Sequence, residues 1–196
     1  VGPDEAYNGT NGSWTLRSLE VSNGGYQRHA WGSGATGMTA PYTSAAGANN
    51  DVVAAIATGW SGTFVVFNQA TNGGDWGIIK YDSSGQPDMD WDDGDLNGVD
   101  NDGNAVLTFN SGGAQADVAY VADGGGCGVT VAGRANGDWH ARSYDCNGML
   151  DTSFFGTGTF TWAGSGATDE IRGMYLSNTS AGPQRLVFVG TEATAT

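Results

Sequence analysis

The stretch Val129–Tyr144, VTVAGRANGDWHARSY, decides the fold class. Two short runs rich in apolar and β-branched residues flank Asn136-Gly137. This residue pair favours a two-residue type I′ hairpin, because both central positions need positive φ. With the turn centred there, the numbers of facing residues sum to 273, and those of Cys127 and Cys146 share that sum. Directly opposed strand residues have Cα atoms roughly 5.5 Å apart or closer, within reach of a disulfide. The spacing therefore predicts a Cys127–Cys146 bridge and an oxidising compartment. The alternative is two free buried thiols.

Moving outward, the hairpin is one part of an internal repeat. Asn-Gly-Asp-Trp139 echoes Gly-Gly-Asp-Trp76 and Asn-Gly-Ser-Trp14, with the tryptophans 63 and 62 residues apart. Downstream, YDSSGQPDMDW (81–91) aligns with YDCNGMLDTSF (144–154), and a looser LEVSNGGYQRHAW ends on Trp31. Each unit then reaches an acidic position before an apolar strand: Asp51-Val52, Asp117-Val118 and Glu170-Ile171. The units close on TFVVF, VTVAG and LVFVG. No window keeps a helical apolar stripe free of glycine, and Gly/Asn/Asp/Ser clusters punctuate the strand-like runs. The expectation is an all-β chain: one repeat domain over 1–196 with units at about 14–67, 76–132 and 139–190, each of about four antiparallel strands. Residues 1–13 would complete a hairpin of a preceding unit.

The run DWHARSYDCNGMLDTSFFGTGTF, followed by ATDEIRGMYL and LVFVG, resembles the delta-60 repeat, a bacterial repeat of the β-propeller superfamily. The third unit carries the likeness through Tyr144, Asn147-Gly148, Leu150-Asp151, Phe154, Gly156 and Asp169-Glu170; the second carries it through Tyr81, Gly85 and Asp88, and the first only loosely. The resemblance implies a propeller-like array and a secreted or cell-surface location. It brings no catalytic residues. Since propellers take four to eight blades to close, three units imply a fragment of a longer array, a three-sheet prism, or repeats that continue between subunits.

Composition narrows the function classes. Twenty-one acids against seven basic residues give a net charge of −14. A chain so acidic lacks the basic surface that displaces phosphate counterions on nucleic acid, and it lacks the Lys/Arg clusters that hold anionic lipid. Apolar runs such as Val52–Ala57 fall far short of the ~20 residues that cross a bilayer as a helix, so no membrane insertion is expected. A chain opening on Val1, with a single lysine and abundant Asn, Thr, Ser and Gly, reads as an exported product after signal-peptide removal. Sequons at Asn8, Asn11 and Asn178 arise readily by chance in such a composition.

The sharpest chemical feature is the acidic insertion DMDWDDGDLNGVDNDGN, 88–104. Asp93, Asp95 and Asn97 followed by Gly98 match the opening of a calcium loop, with Asp100 or Asn101, and Asp102, as further oxygen ligands. Asn104 stands where an EF-hand has its bidentate glutamate, so the expected site is a non-helical calcium loop; the alternative is a solvated acidic turn. Trp60 and Trp162 lie off the repeated Trp positions and are candidate glycan-stacking residues. His29 and His140 sit in no metal-ligand spacing and read as packing or surface groups. The Asp169-Glu170 pair belongs with the repeat's turns rather than with acid/base catalysis. The reading is a non-catalytic extracellular structural or adhesive subunit that associates with copies of itself through open strand edges into a filament or ring. The alternative is a calcium-dependent carbohydrate-binding module.

Overall fold

A computed structural model describes residues 19–20, 26–27, 52–69, 75–88, 90–91, 106–113, 117–124, 126–164, 168–177 and 185–192. Within them the chain is all-β. The strands are β1 (Leu19–Glu20), β2 (Tyr26–Gln27), β3 (Val52–Gly59), β4 (Gly62–Gln69), β5 (Asp75–Tyr81), β6 (Val106–Phe109), β7 (Val118–Asp123), β8 (Val129–Ala135), β9 (Asp138–Tyr144), β10 (Thr159–Trp162), β11 (Glu170–Ser177) and β12 (Arg185–Thr191). The first sheet runs β3-β4-β5-β6, the second β7-β8-β9-β10, and the third is the pair β11-β12; none closes into a barrel. β1 pairs antiparallel with β2. All pairings among the described residues are antiparallel, and two of them, β3–β4 and β8–β9, are closed by two-residue turns.

The β8–β9 ladder runs from Ala135↔Asp138 to Val129↔Tyr144, so every facing pair has the register read from the Asn-Gly turn. Asn136 and Gly137 both adopt positive φ, 49° and 93°, the geometry a type I′ turn demands. Cys127 and Cys146 are joined as a disulfide, with Cα atoms 4.8 Å apart.

The turns after β5 and β9 repeat the same backbone hydrogen bonds. The Asp82 carboxylate accepts from the Ser84 and Gln86 amides, and that of Asp145 from the Asn147 and Met149 amides. Gly85 and Gly148 supply matching positive φ of 79° and 80°. Two residues beyond, the Asp88 amide donates to Lys80 O and the Asp151 amide to Ser143 O, returning both chains to their strands.

The leading strand of each sheet carries a bulge at one common place: Val53/Ala55 in β3, Ala119/Val121 in β7 and Ile171/Gly173 in β11. Aligned on the bulge, Glu170 corresponds to Val118, and it is Asp169 that corresponds to Asp117. The acidic repeat position in the last unit therefore shifts by one residue from Glu170 to Asp169. Opposite the bulge stand Gly133 and Gly190. A Cβ there would collide with the carbonyl oxygens of Val118 and Glu170 respectively, so the close backbone approach needs glycine.

Strand alternation then sorts side chains between layers. Phe64, Val66, Trp76, Ile78 and Trp91 of the first sheet's side meet Ala119, Val129, Val131 and Tyr144. On the far face of the second sheet, Ala132, Ala141 and Ile171 pack with Trp139, Phe160, Met174 and Phe188. A separate cluster, Val65, Phe67, Ile79 and Tyr81, fills the other face of the first sheet. The sheets are out of phase with the sequence repeat: the second sheet takes β7 and β8 from the unit at 76–132, and β9 and β10 from the unit at 139–190.

Candidate functional site

Several of the described polar contacts join one sheet to the next. Asn68 on β4 bonds both backbone groups of Ala119, donating to its carbonyl at 3.0 Å and accepting from its amide at 2.8 Å. The buried Asp117 carboxylate accepts from the Ser111 amide (2.5 Å), the Ser111 hydroxyl (2.8 Å) and the Asn136 amide (2.9 Å). It thus ties the exit of the first sheet to the β8–β9 turn. Trp91 Nε1 donates to Asp145 O at 3.2 Å, and Trp139 Nε1 to Thr191 O at 3.0 Å.

Between the second and third sheets, Glu170 is the centre of a charged cluster. Tyr120 Oη and Arg134 Nη1 each donate to Glu170 Oε1 at 2.7 Å, and Arg172 pairs with the other oxygen. The Arg172 guanidinium also lies 4.0 Å from the centroid of the Tyr120 ring. Tyr120 and Arg172 are the bulge residues of β7 and β11, turned out of the ladder and towards each other. Burial, reinforced by the hydrogen bond to the Glu170 carboxylate and its charge, raises the Tyr120 phenol above its ordinary pKa. With two arginines on it, Glu170 is engaged as an ion-pair partner. Asp169, fully buried, gives its amide to Gly137 O at 2.7 Å.

The gap between the first and second sheets holds an aromatic and cationic stack. The His140 ring lies parallel to Phe109 at 5.0 Å and edge-on to Trp76 at 5.6 Å, while the Arg142 guanidinium sits 4.2 Å from the Phe109 centroid. His140 Nδ1 and Thr161 Oγ1 share a 2.9 Å hydrogen bond. Burial, then the neighbouring Arg142 charge, push His140 down to about 4 against a partial opposing effect of Asp117, so the ring is neutral near pH 7. Burial likewise pushes the Tyr144 phenol up to about 12. His140 is thus a packing residue, as its lack of ligand spacing suggests.

The two singled-out tryptophans are both on the surface. Trp60, 81% exposed, tips the β3–β4 hairpin, and its amide donates to Gly126 O at 2.9 Å beside the disulfide. Trp162, 56% exposed, ends β10 opposite Trp139. They belong to different sheets. The calcium candidates Asp93, Asp95, Asn97, Asp100 and Asp102 lie outside the described residues, as do His29, Asp51 and the three sequons. Among the described residues no group of three or more metal-ligating side chains forms, and no helix is long and apolar enough to cross a membrane. Sequence reasoning missed Tyr120, Arg134, Arg142 and Arg172; the only signal for them was a cation or aromatic beside a repeated strand position. No family model matches the chain, and neither a curated protein nor a solved structure is found to be similar to it.

Proposed function

We propose that this chain is a non-catalytic extracellular structural or adhesive subunit that associates with copies of itself, built from repeats of the delta-60, propeller-like kind. The observation that carries this reading is the outer face of the third sheet. Tyr175, Val187 and Val189, 65%, 55% and 64% exposed, stand side by side there. Aligned on the bulge, they occupy the register of Ala57, Phe64 and Val66 in the first sheet, which the second sheet covers. The repeat's own packing thus favours a further layer on this face. The disulfide supports an extracellular setting. Light scattering from micromolar to millimolar protein tests the reading. The mass should rise with concentration, and more so in high salt, because screening relieves repulsion between chains of charge −14. A strict monomer throughout would sink it.

The exposure of Trp60 favours a second reading, a carbohydrate-binding module in which its ring stacks on a sugar. A glycan array probed with wild type and Trp60→Ala, with calcium and then with chelator, separates this from self-association.

A further inference from the structure

The two described contacts between sheets are built to one plan. The face of the first sheet that holds Phe64 and Val66 is covered by Val129 and Val131 of the second. The face of the second that holds Ala132 and Ala141 is covered by Met174 and Phe188 of the third. Aligned on their bulges, Val66, Ala132 and Val189 occupy one position of the repeat, and Val65, Val131 and Phe188 occupy the next. Each of the three sheets thus has one face that receives a neighbour and an opposite face that covers one. The receiving face of the third sheet carries the pairs Gly173↔Val189 and Tyr175↔Val187, and its three side chains are each more than half exposed. The covering face of the first sheet, with Val65, Phe67, Ile79 and Tyr81, is by contrast no more than 2% exposed at any of them. A second copy therefore has no open covering face to bring, and head-to-tail repetition of this packing between copies is blocked.

We propose that the receiving face of the third sheet packs against the same face of a second copy, closing a twofold dimer. This closure rests on the self-association reading and fixes its symmetry. The face has the relief that self-packing needs. It stands high at Tyr175 and low at Gly173, two residues along the same strand. A twofold axis lying in the interface, across the strands, sets each Tyr175 over Gly173 of the other copy and each Val187 over Val189. Every contact is then returned by its reciprocal, as an isologous interface requires. The charge distribution agrees. None of these four residues is charged, and Arg172 beside them is engaged by the Glu170 carboxylate and the Tyr120 ring. Two chains of charge −14 can meet here without setting carboxylate against carboxylate. Three side chains and a glycine cover well under the ~800 Å² per partner of a standard interface, so the pair forms at micromolar to millimolar concentration and not below.

Sedimentation velocity on wild type, Val187→Asp and Val189→Lys tests this, with circular dichroism to check that each variant keeps its strands. Both positions are more than half exposed, so their replacement leaves the layers beneath intact. The wild type should approach twice the chain mass and stop there. Each variant alone buries an unpaired charge in the interface and should weaken association by about tenfold or more. An equimolar mixture of the two should recover it, because the carboxylate of one copy then meets the ammonium of the other. Oxidative footprinting of the wild type is independent of variant folding: labelling of Tyr175 should fall as concentration rises, while that of Trp60 holds. If the wild type associates but neither substitution weakens it, or Tyr175 labelling ignores concentration, the choice of face is overturned while self-association stands. Growth past two copies, or a loss that mixing does not recover, overturns the twofold pairing and again leaves self-association standing. If the wild type stays monomeric throughout, self-association itself fails, and the pairing with it.

Discussion

Removing the Cys127–Cys146 bridge is the most direct test of the hairpin reading, because its magnitude follows from one structural number. The bridge closes a segment whose ends are 19 residues apart. Constraining a loop of that size in the unfolded chain is worth about 3 kcal/mol at 25 °C on the chain-entropy account. Cys146 is exposed and Cys127 only half-buried, so replacing both by alanine opens little cavity and loop entropy dominates. In a chain of 196 residues each kcal/mol moves the melting temperature by about 2–4 °C. The double variant Cys127→Ala/Cys146→Ala should therefore melt about 6–12 °C lower by scanning calorimetry. Reductant should bring the wild type to the same temperature and leave the variant where it was. A local effect should accompany the global one. Gly126 and Cys127 offer their carbonyls to the Trp60 amide and the Ser61 hydroxyl, so the Trp60 amide should exchange faster in the variant. A melting temperature within about 2 °C of wild type would refute the reasoning, since the bridge would then not restrict the unfolded chain.

Other consequences are as direct. Because the folded state lowers His140 from 6.5 to about 4, protonation favours unfolding, and the stability held above about pH 6.5 is lost as pH falls towards 4; about 2 kcal/mol should go between pH 7 and pH 5. Asp75, raised by burial and by the Asp117 charge against its Asn110 hydrogen bond, takes up its proton more readily in the folded state and so opposes that loss; His140→Gln should flatten the difference between urea titrations at the two pH values, and an unchanged difference would remove His140 as its source. Asp117→Ala strips acceptors from the Ser111 and Asn136 amides and should cost about 2–3 kcal/mol in the same titration, a loss under half that meaning water replaces the carboxylate. Gly133→Ala drives a methyl into the Val118 carbonyl and should cost about 1–3 kcal/mol, whereas an unchanged midpoint would show that the bulge yields.

What the sequence made legible is the local chemistry of turns. Asn136-Gly137 fixed the register of β8 and β9, because a two-residue turn leaves one pairing open and the cysteine pairing follows by counting. The Asp82 and Asp145 turns were visible as aligned segments for the same reason: their hydrogen bonds stay within a few residues. The position of the last acidic group was not visible. Asp169 and Glu170 are adjacent acids, and only the β11 bulge shows which one aligns with Asp117. The contacts that join sheets were hidden too, since Asn68 meets Ala119 and Arg134 meets Glu170 across 51 and 36 residues of chain. Repetition reveals a period but not a phase: an antiparallel chain can break its sheets after any strand, so the half-unit offset had no signature in spacing. The acidic insertion at 88–104, the sharpest chemical feature of the sequence, falls largely outside the described residues.

That offset has a mechanical consequence. The unit at 76–132 hydrogen-bonds backwards, through β5 on β4, and forwards, through β8 on β9. Successive units are thus stitched by main-chain ladders instead of merely stacked side by side. In a solenoid whose repeats touch only through side chains, units can unravel singly under load. Here, extracting one unit means shearing a ladder on each side, so tension along the chain is shared and a single nick between units leaves both halves still clasped.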